Sequence, residues 1–106
     1  MSDTLSRLEQ TVLARRGADP ASSYVASLFA KGRPRIARKL GEEAVELIVA
    51  ALAEDRAALT GEAADLLFHL TVLLAEADVP FADVLAELER REGTSGIAEK
   101  AARPAS

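Results

Sequence analysis

Lys39-Leu40-Gly41-Glu42-Glu43-Ala44-Val45-Glu46 and Glu62-Ala63-Ala64-Asp65-Leu66-Leu67-Phe68-His69 are the two stretches that decide how this chain is read. A shift of nineteen residues superposes Glu43 on Glu62, Ala44 on Ala63, Glu46 on Asp65 and Leu47 on Leu66, so the segments are weak copies of each other. Each carries two acids three positions apart beside an apolar stripe. On a helix such a pair is separated by about 60° and projects to one side. Two helices of this kind packed antiparallel through their stripes bring both acid pairs to one edge of the interface, which is how helical bundles build metal sites.

Outward from that repeat, the apolar spacing predicts a third helix from Arg35 to about Ala53, with Ile36, Leu40, Ala44, Leu47, Ile48 and Ala51 on one face. A fourth follows from Asp55 or Arg56 to about Ala77, with a stripe of Leu59, Ala63, Leu66, Leu70, Leu73 and Leu74. Upstream, Leu5, Leu8, Val12 and Leu13 mark a first helix from Asp3 to about Arg16, capped by Ser2 or Asp3. Asp19 and Pro20 open a second, to Ala30, which offers Tyr24, Val25, Leu28 and Phe29 to the core. Downstream, Asp78-Val79-Pro80 introduces a fifth helix carrying Phe81, Val84, Leu85 and Leu88 and ended by Gly93, and residues 94–106 read as a frayed tail.

Composition agrees with an all-α fold. The 106 residues suffice for one domain, 1–106, and are too few for two ordinary ones. With 49% apolar but only 4% aromatic residues, and abundant Ala and Leu, a bundle of about five closely packed helices is favoured over a sheet. So few large side chains leave the stripes of one protomer incompletely buried, so a helical homodimer is expected. A net charge of -4 argues against a nucleic-acid binder, and the absence of cysteine excludes disulfides and thiolate metal sites. Neither a secretory apolar run nor about 18 uninterrupted apolar residues occurs, so no membrane span is expected and the cytoplasm is the default location.

The chemistry lies in the acids and in the cations before them. The spacing puts Glu43, Glu46, Glu62 and Asp65 at the shoulder of the core, where four converging carboxylates repel one another and lose stability unless a cation joins them. Oxygen-only ligation favours Mg²⁺, or Mn²⁺, over zinc. A di-iron bundle site needs Glu-x-x-His twice, and His69 is the single histidine. It reads as a hydrogen-bonding residue at the core edge rather than a ligand. Lys31, Arg33, Arg35, Arg38 and Lys39 place five cations in nine residues at the start of the third helix. Cations there oppose the helix dipole, so local stability does not explain them and phosphate binding does. Lys39 lies one turn before Glu43, on the same face, placed to pair with that acid or to touch a phosphate. The bland alternative is a set of solvated helix faces paired with Arg38, Lys39 or Arg56. Gly41 and Gly61 each sit inside a helix just before an acidic motif, where close approach of a helix or ligand is one reason for a glycine.

Ser23-Tyr24, Leu28, Lys31-Gly32, Ile36, Lys39 to Glu46, Glu62 to His69 and Gly93-Thr94-Ser95-Gly96-Ile97-Ala98-Glu99-Lys100 together resemble the phosphoribosyl-ATP pyrophosphohydrolases of histidine biosynthesis, over about Pro20 to Arg103. The acid pairs alone are shared with the wider all-α nucleotide pyrophosphohydrolases, MazG-like and dimeric dUTPase-like enzymes included. The Lys-x-Gly-Glu-Glu-Ala lead-in, the Ala-Asp-Leu-Leu-Phe-His segment and the Ser-Gly-x-x-Glu-Lys tail narrow the resemblance. It implies Mg²⁺, a helical dimer, a tail that matters, and hydrolysis of phosphoribosyl-ATP to phosphoribosyl-AMP and pyrophosphate. Phe68 departs from it, standing where many relatives carry Tyr. Many relatives are fused to a cyclohydrolase, for which this chain has no room, so a separate phosphoribosyl-AMP cyclohydrolase is implied as pathway partner. The expected division of labour has Glu43, Glu46, Glu62 and Asp65 holding metal. Lys31, Arg33, Arg35 and Lys39 steady phosphates, and Glu42 is a base or additional ligand beside Glu43 and Lys39. Two rivals remain at this point: a MazG-like house-cleaning hydrolase of non-standard nucleoside triphosphates, and a non-enzymatic helical dimerisation module.

Overall fold

The computed structural model describes residues 3–53 and 55–92. The chain folds as α1 (Asp3–Ala14), α2 (Tyr24–Lys31), α3 (Arg33–Ala53), α4 (Arg56–Glu76) and α5 (Phe81–Arg91), with no strand among the described residues. The expectations for Ser2, for Gly93 as a cap and for residues 94–106 lie outside the described residues.

Local chemistry sets the helix boundaries. Asp55, in an extended conformation, caps α4 by accepting the Ala58 N–H at 2.9 Å. Gly32, at φ 88°, ends α2 and leads directly into α3, a left-handed joint that a side chain would strain. Pro34 follows in the first turn of α3, where helical N–H groups have no partner within the helix and its missing donor costs nothing. The expected start of α2 at Pro20 is corrected. Asp19 spends its side chain on a local turn, accepting the Ala21 N–H at 3.0 Å, and Ser23 caps the helix instead through the Ala26 N–H at 3.3 Å.

Only residues 54 and 55 separate α3 from α4, so the two pair as an antiparallel hairpin, with α2 packed on both and α1 on α4. Val12, Val25, Leu28, Ile36, Val72 and Ala75 form the buried centre, with Leu8, Leu13, Phe29, Phe68 and Leu73 packed around it. Phe81 anchors α5, its side chain buried and its N–H donated to Glu9 Oε2 at 2.8 Å. α4 has the length and apolar composition to cross a membrane. Its mid-helix acids Glu62 and Asp65 and its packing against three other helices mark it as the central helix of the bundle.

The apolar faces are rotated from the expected ones. Ile36, Glu43 and Ala50 are the buried residues of α3, while Ile48 and Ala51 face solvent, as does Leu59 on α4. Glu43 therefore lies in the helix–helix seam rather than on its shoulder. Val45, Ile48, Val49 and Leu52, at 49–84% exposure, form a second apolar stripe on the far side of α3. Tyr24, expected in the core, is 52% exposed.

Candidate active site

The seam between α3 and α4 assembles the acids. Glu43 comes from the middle of α3, with Glu62 and Asp65 one turn apart on α4. Each offers a carboxylate oxygen within 4.8 Å of the others. Glu43 is buried, Glu62 half-buried and Asp65 exposed, so the cluster opens to solvent on the α4 side. Glu46 is exposed and stands outside this trio, although its charge reaches Glu62. The Glu62 carboxyl is raised above its ordinary value, first by desolvation, then by Glu46, by a hydrogen bond with Asp65, and by the charges of Asp65 and Glu43. Three oxygens this close, on a buried and two accessible carboxylates, fit a hard divalent cation, whose ligand oxygens lie about 2.0–2.6 Å from the ion.

Lys39 joins the acids to the cations. Its ammonium lies 3.3 Å from Glu43 Oε1 and 3.9 Å from Glu42 Oε1. The hydrogen bond with Glu43 dominates in raising the Lys39 pKa, against an opposing desolvation. Beside it is a cleft of about 410 Å³ lined by Tyr24, Leu28, Lys31, Arg35, Arg38, Lys39 and Glu42. Four of these seven residues are cationic, the residue type that binds phosphate oxygens.

Most of the expected site residues meet here. Lys31, Arg35 and Lys39 share the cleft, with Glu42 at its edge, paired to Arg38 at 3.5 Å and turned away from the acid trio. Arg33 does not join them: its guanidinium pairs with Glu76 at the end of α4. Two residues from Arg35 on a helix, it is turned about 200° away. Arg38, Leu28 and Tyr24 are the additions. Arg38 belongs to the cationic run, but Tyr24 has the sequence pattern of a core residue, and only the packing of α2 on both α3 and α4 places it at the cleft.

His69 is buried and stands apart from the trio. Its Nδ1 is 2.7 Å from the Asp65 carbonyl oxygen and its Nε2 3.1 Å from the Tyr24 hydroxyl, as befits a structural histidine. An added Cβ at Gly41 or Gly61 would meet nothing within 4 Å, so no close approach inside this chain accounts for either glycine.

Comparison with known sequences gives one concordant result. The profile of the family described as phosphoribosyl-ATP pyrophosphohydrolase matches residues 5–92. A Rhizorhabdus wittichii protein named phosphoribosyl-ATP pyrophosphatase is 75% identical over 104 residues, covering 98% of both chains. Proteins of the same name from Novosphingobium aromaticivorans and Zymomonas mobilis are 65% identical over 101 residues (95% of this chain, 94% of the relative) and 57% identical over 104 residues (98% and 97%).

Proposed function

Because this chain belongs to the phosphoribosyl-ATP pyrophosphohydrolase family, a family of hydrolases, we propose that it cleaves phosphoribosyl-ATP to phosphoribosyl-AMP and pyrophosphate in the second step of histidine biosynthesis. The observation that carries the proposal is the continuity, through Lys39 and Glu43, of a carboxylate trio with a basic cleft. Membership in a hydrolase family sets aside the non-enzymatic dimerisation module.

In the proposed reaction water attacks at the α–β anhydride, the bond from the bridging oxygen to the α phosphorus breaks, and pyrophosphate departs with that oxygen. Glu43, Glu62 and Asp65, with Glu46 at the margin, would hold Mg²⁺ or Mn²⁺. Such an ion neutralises phosphate charge and favours ionisation of water when bound. Lys31, Arg35, Arg38 and Lys39 hold the phosphates in line and offset the charge that builds on the leaving group. Glu42 lines the phosphate-binding cleft rather than the metal trio, and its proposed role is that of base toward a water lying between the two. Arg33 is outside this scheme, committed to Glu76.

The apolar stripe Val45, Ile48, Val49 and Leu52 supports a homodimer built on the outer side of α3, since such a stripe at helical spacing is what a second helix covers. The enzyme would act in the cytoplasm and hand its product to a separate phosphoribosyl-AMP cyclohydrolase.

Pyrophosphate release from phosphoribosyl-ATP and from a panel of nucleoside triphosphates, each with Mg²⁺ and with chelator, tests the assignment. Mg²⁺-dependent release from phosphoribosyl-ATP alone is expected. Release chiefly from the triphosphates would move the same site to house-cleaning hydrolysis.

A further inference from the structure

Among the described residues lining the cleft Tyr24 is the one aromatic, and its hydroxyl is held on the protein side in a particular sense. The Asp65 carbonyl oxygen, 2.7 Å from His69 Nδ1, can only accept, so the contact selects the imidazole tautomer with its proton on Nδ1. Nε2 is then a bare acceptor, and the Tyr24 hydroxyl, 3.1 Å away, donates to it. This commits the phenolic hydrogen to the interior. What Tyr24 has left is an oxygen that accepts only.

An acceptor beside four cations is useless to a phosphate, whose oxygens also accept. Lys39 is held first by Glu43, at 3.3 Å, with the Tyr24 oxygen a lesser neighbour of its ammonium, so that oxygen keeps a lone pair for a further donor. It suits an uncharged donor. The ring itself is fixed for such a task, lying nearly parallel to Phe68 at 16° with centroids 6.0 Å apart, while His69 meets Phe68 edge-on at 5.0 Å. From this geometry we infer that Tyr24 is a specificity-determining residue whose oxygen accepts a hydrogen bond from an O–H or N–H group of the sugar or base of the nucleotide, while the surrounding cations take its phosphates. The inference rests on the nucleotide reading proposed above and assigns the non-phosphate half of the substrate to a residue of α2.

Tyr24→Phe keeps the ring and removes the oxygen, and with it both the bond donated to His69 Nε2 and the acceptor offered to the nucleotide. Two Mg²⁺-containing measurements separate the roles: steady-state hydrolysis of phosphoribosyl-ATP, and calorimetric binding of inorganic pyrophosphate, which has neither sugar nor base. Loss of the one neutral hydrogen bond to the nucleotide predicts a KM raised about three- to tenfold, kcat within about twofold of wild type, and pyrophosphate affinity unchanged. Parallel weakening of phosphoribosyl-ATP and pyrophosphate would overturn the inference by showing that Tyr24 serves the phosphate-binding cations. An unchanged KM would overturn it as well. A wild-type chain that did not hydrolyse phosphoribosyl-ATP would remove the underlying reading too, an outcome distinct from either.

Discussion

Glu62 carries the strain of the carboxylate cluster. Desolvation and three neighbouring acids hold its carboxyl above the ordinary 4.5. A carboxyl with a higher pKa in the folded than in the unfolded chain opposes folding as pH rises past the unfolded value, and the opposition vanishes below it. In chelator, Glu62→Gln should therefore raise the melting temperature at neutral pH and leave it unchanged at about pH 3. Added Mg²⁺ should raise that of the wild type more than that of the variant. Glu43→Gln addresses catalysis rather than strain, and should cut Mg²⁺-dependent pyrophosphate release by about a hundredfold or more, through loss of the buried member of the trio. Spacing alone made these acids legible as a group, because residues three apart share a helix side whatever surrounds them. That Glu43 is buried while Glu46 is exposed was not legible, since it depends on how far α3 is rolled toward α4.

At the scale of elements, α5 and α4 offer separate tests. The Glu87 carboxylate accepts from Arg90 and from Arg91, which lowers its pKa from 4.5 to about 2. A depressed carboxyl stabilises the fold above its unfolded value, and the benefit is lost as pH falls from there through about 2. Glu87→Gln should thus lower thermal stability at pH 7, by an amount that shrinks as pH falls through about 2, as followed by circular dichroism; the effect is modest because the side chain is 42% exposed and screened by solvent. In α4, Gly61 lies at an exposed helix-interior position with open space where a Cβ would sit. Gly61→Ala should stabilise the chain by about 1 kcal/mol in urea titration. A loss of activity despite that gain would locate a ligand or partner against the glycine. The five helices were readable from period and caps because those signals are local. The start of α2 was misplaced because Asp19 and Ser23 are both competent caps, and the choice between them turns on which register buries Val25 and Leu28.

For the whole molecule, the outer stripe of α3 is the largest departure from the expected core. The proposed dimer predicts a sedimentation mass twice the 11.2 kDa of the protomer. Ile48→Asp, at the centre of the stripe, should shift it to the monomer mass, because burying a carboxylate in an apolar interface costs several kcal/mol or more. The expectation that one protomer would leave apolar surface uncovered came from its shortage of large side chains. Which residues are uncovered came from the packing: α4 takes the face of α3 that includes Glu43, and Val45, Ile48, Val49 and Leu52 are left over.

The sequence by itself determined an all-α chain of five helices, the pairing of two acid motifs, the cationic approach to them and the family. All of these are written in periodicity, spacing and residue type, which need no knowledge of what touches what. The tertiary structure alone decided that Arg33 leaves the cationic group for Glu76, that Tyr24 leaves the core for the cleft, and that Glu43 rather than Ile48 enters the α3–α4 seam. Each outcome is set by the rotation of one helix against its neighbours, and that angle is fixed by the packing of all the helices together.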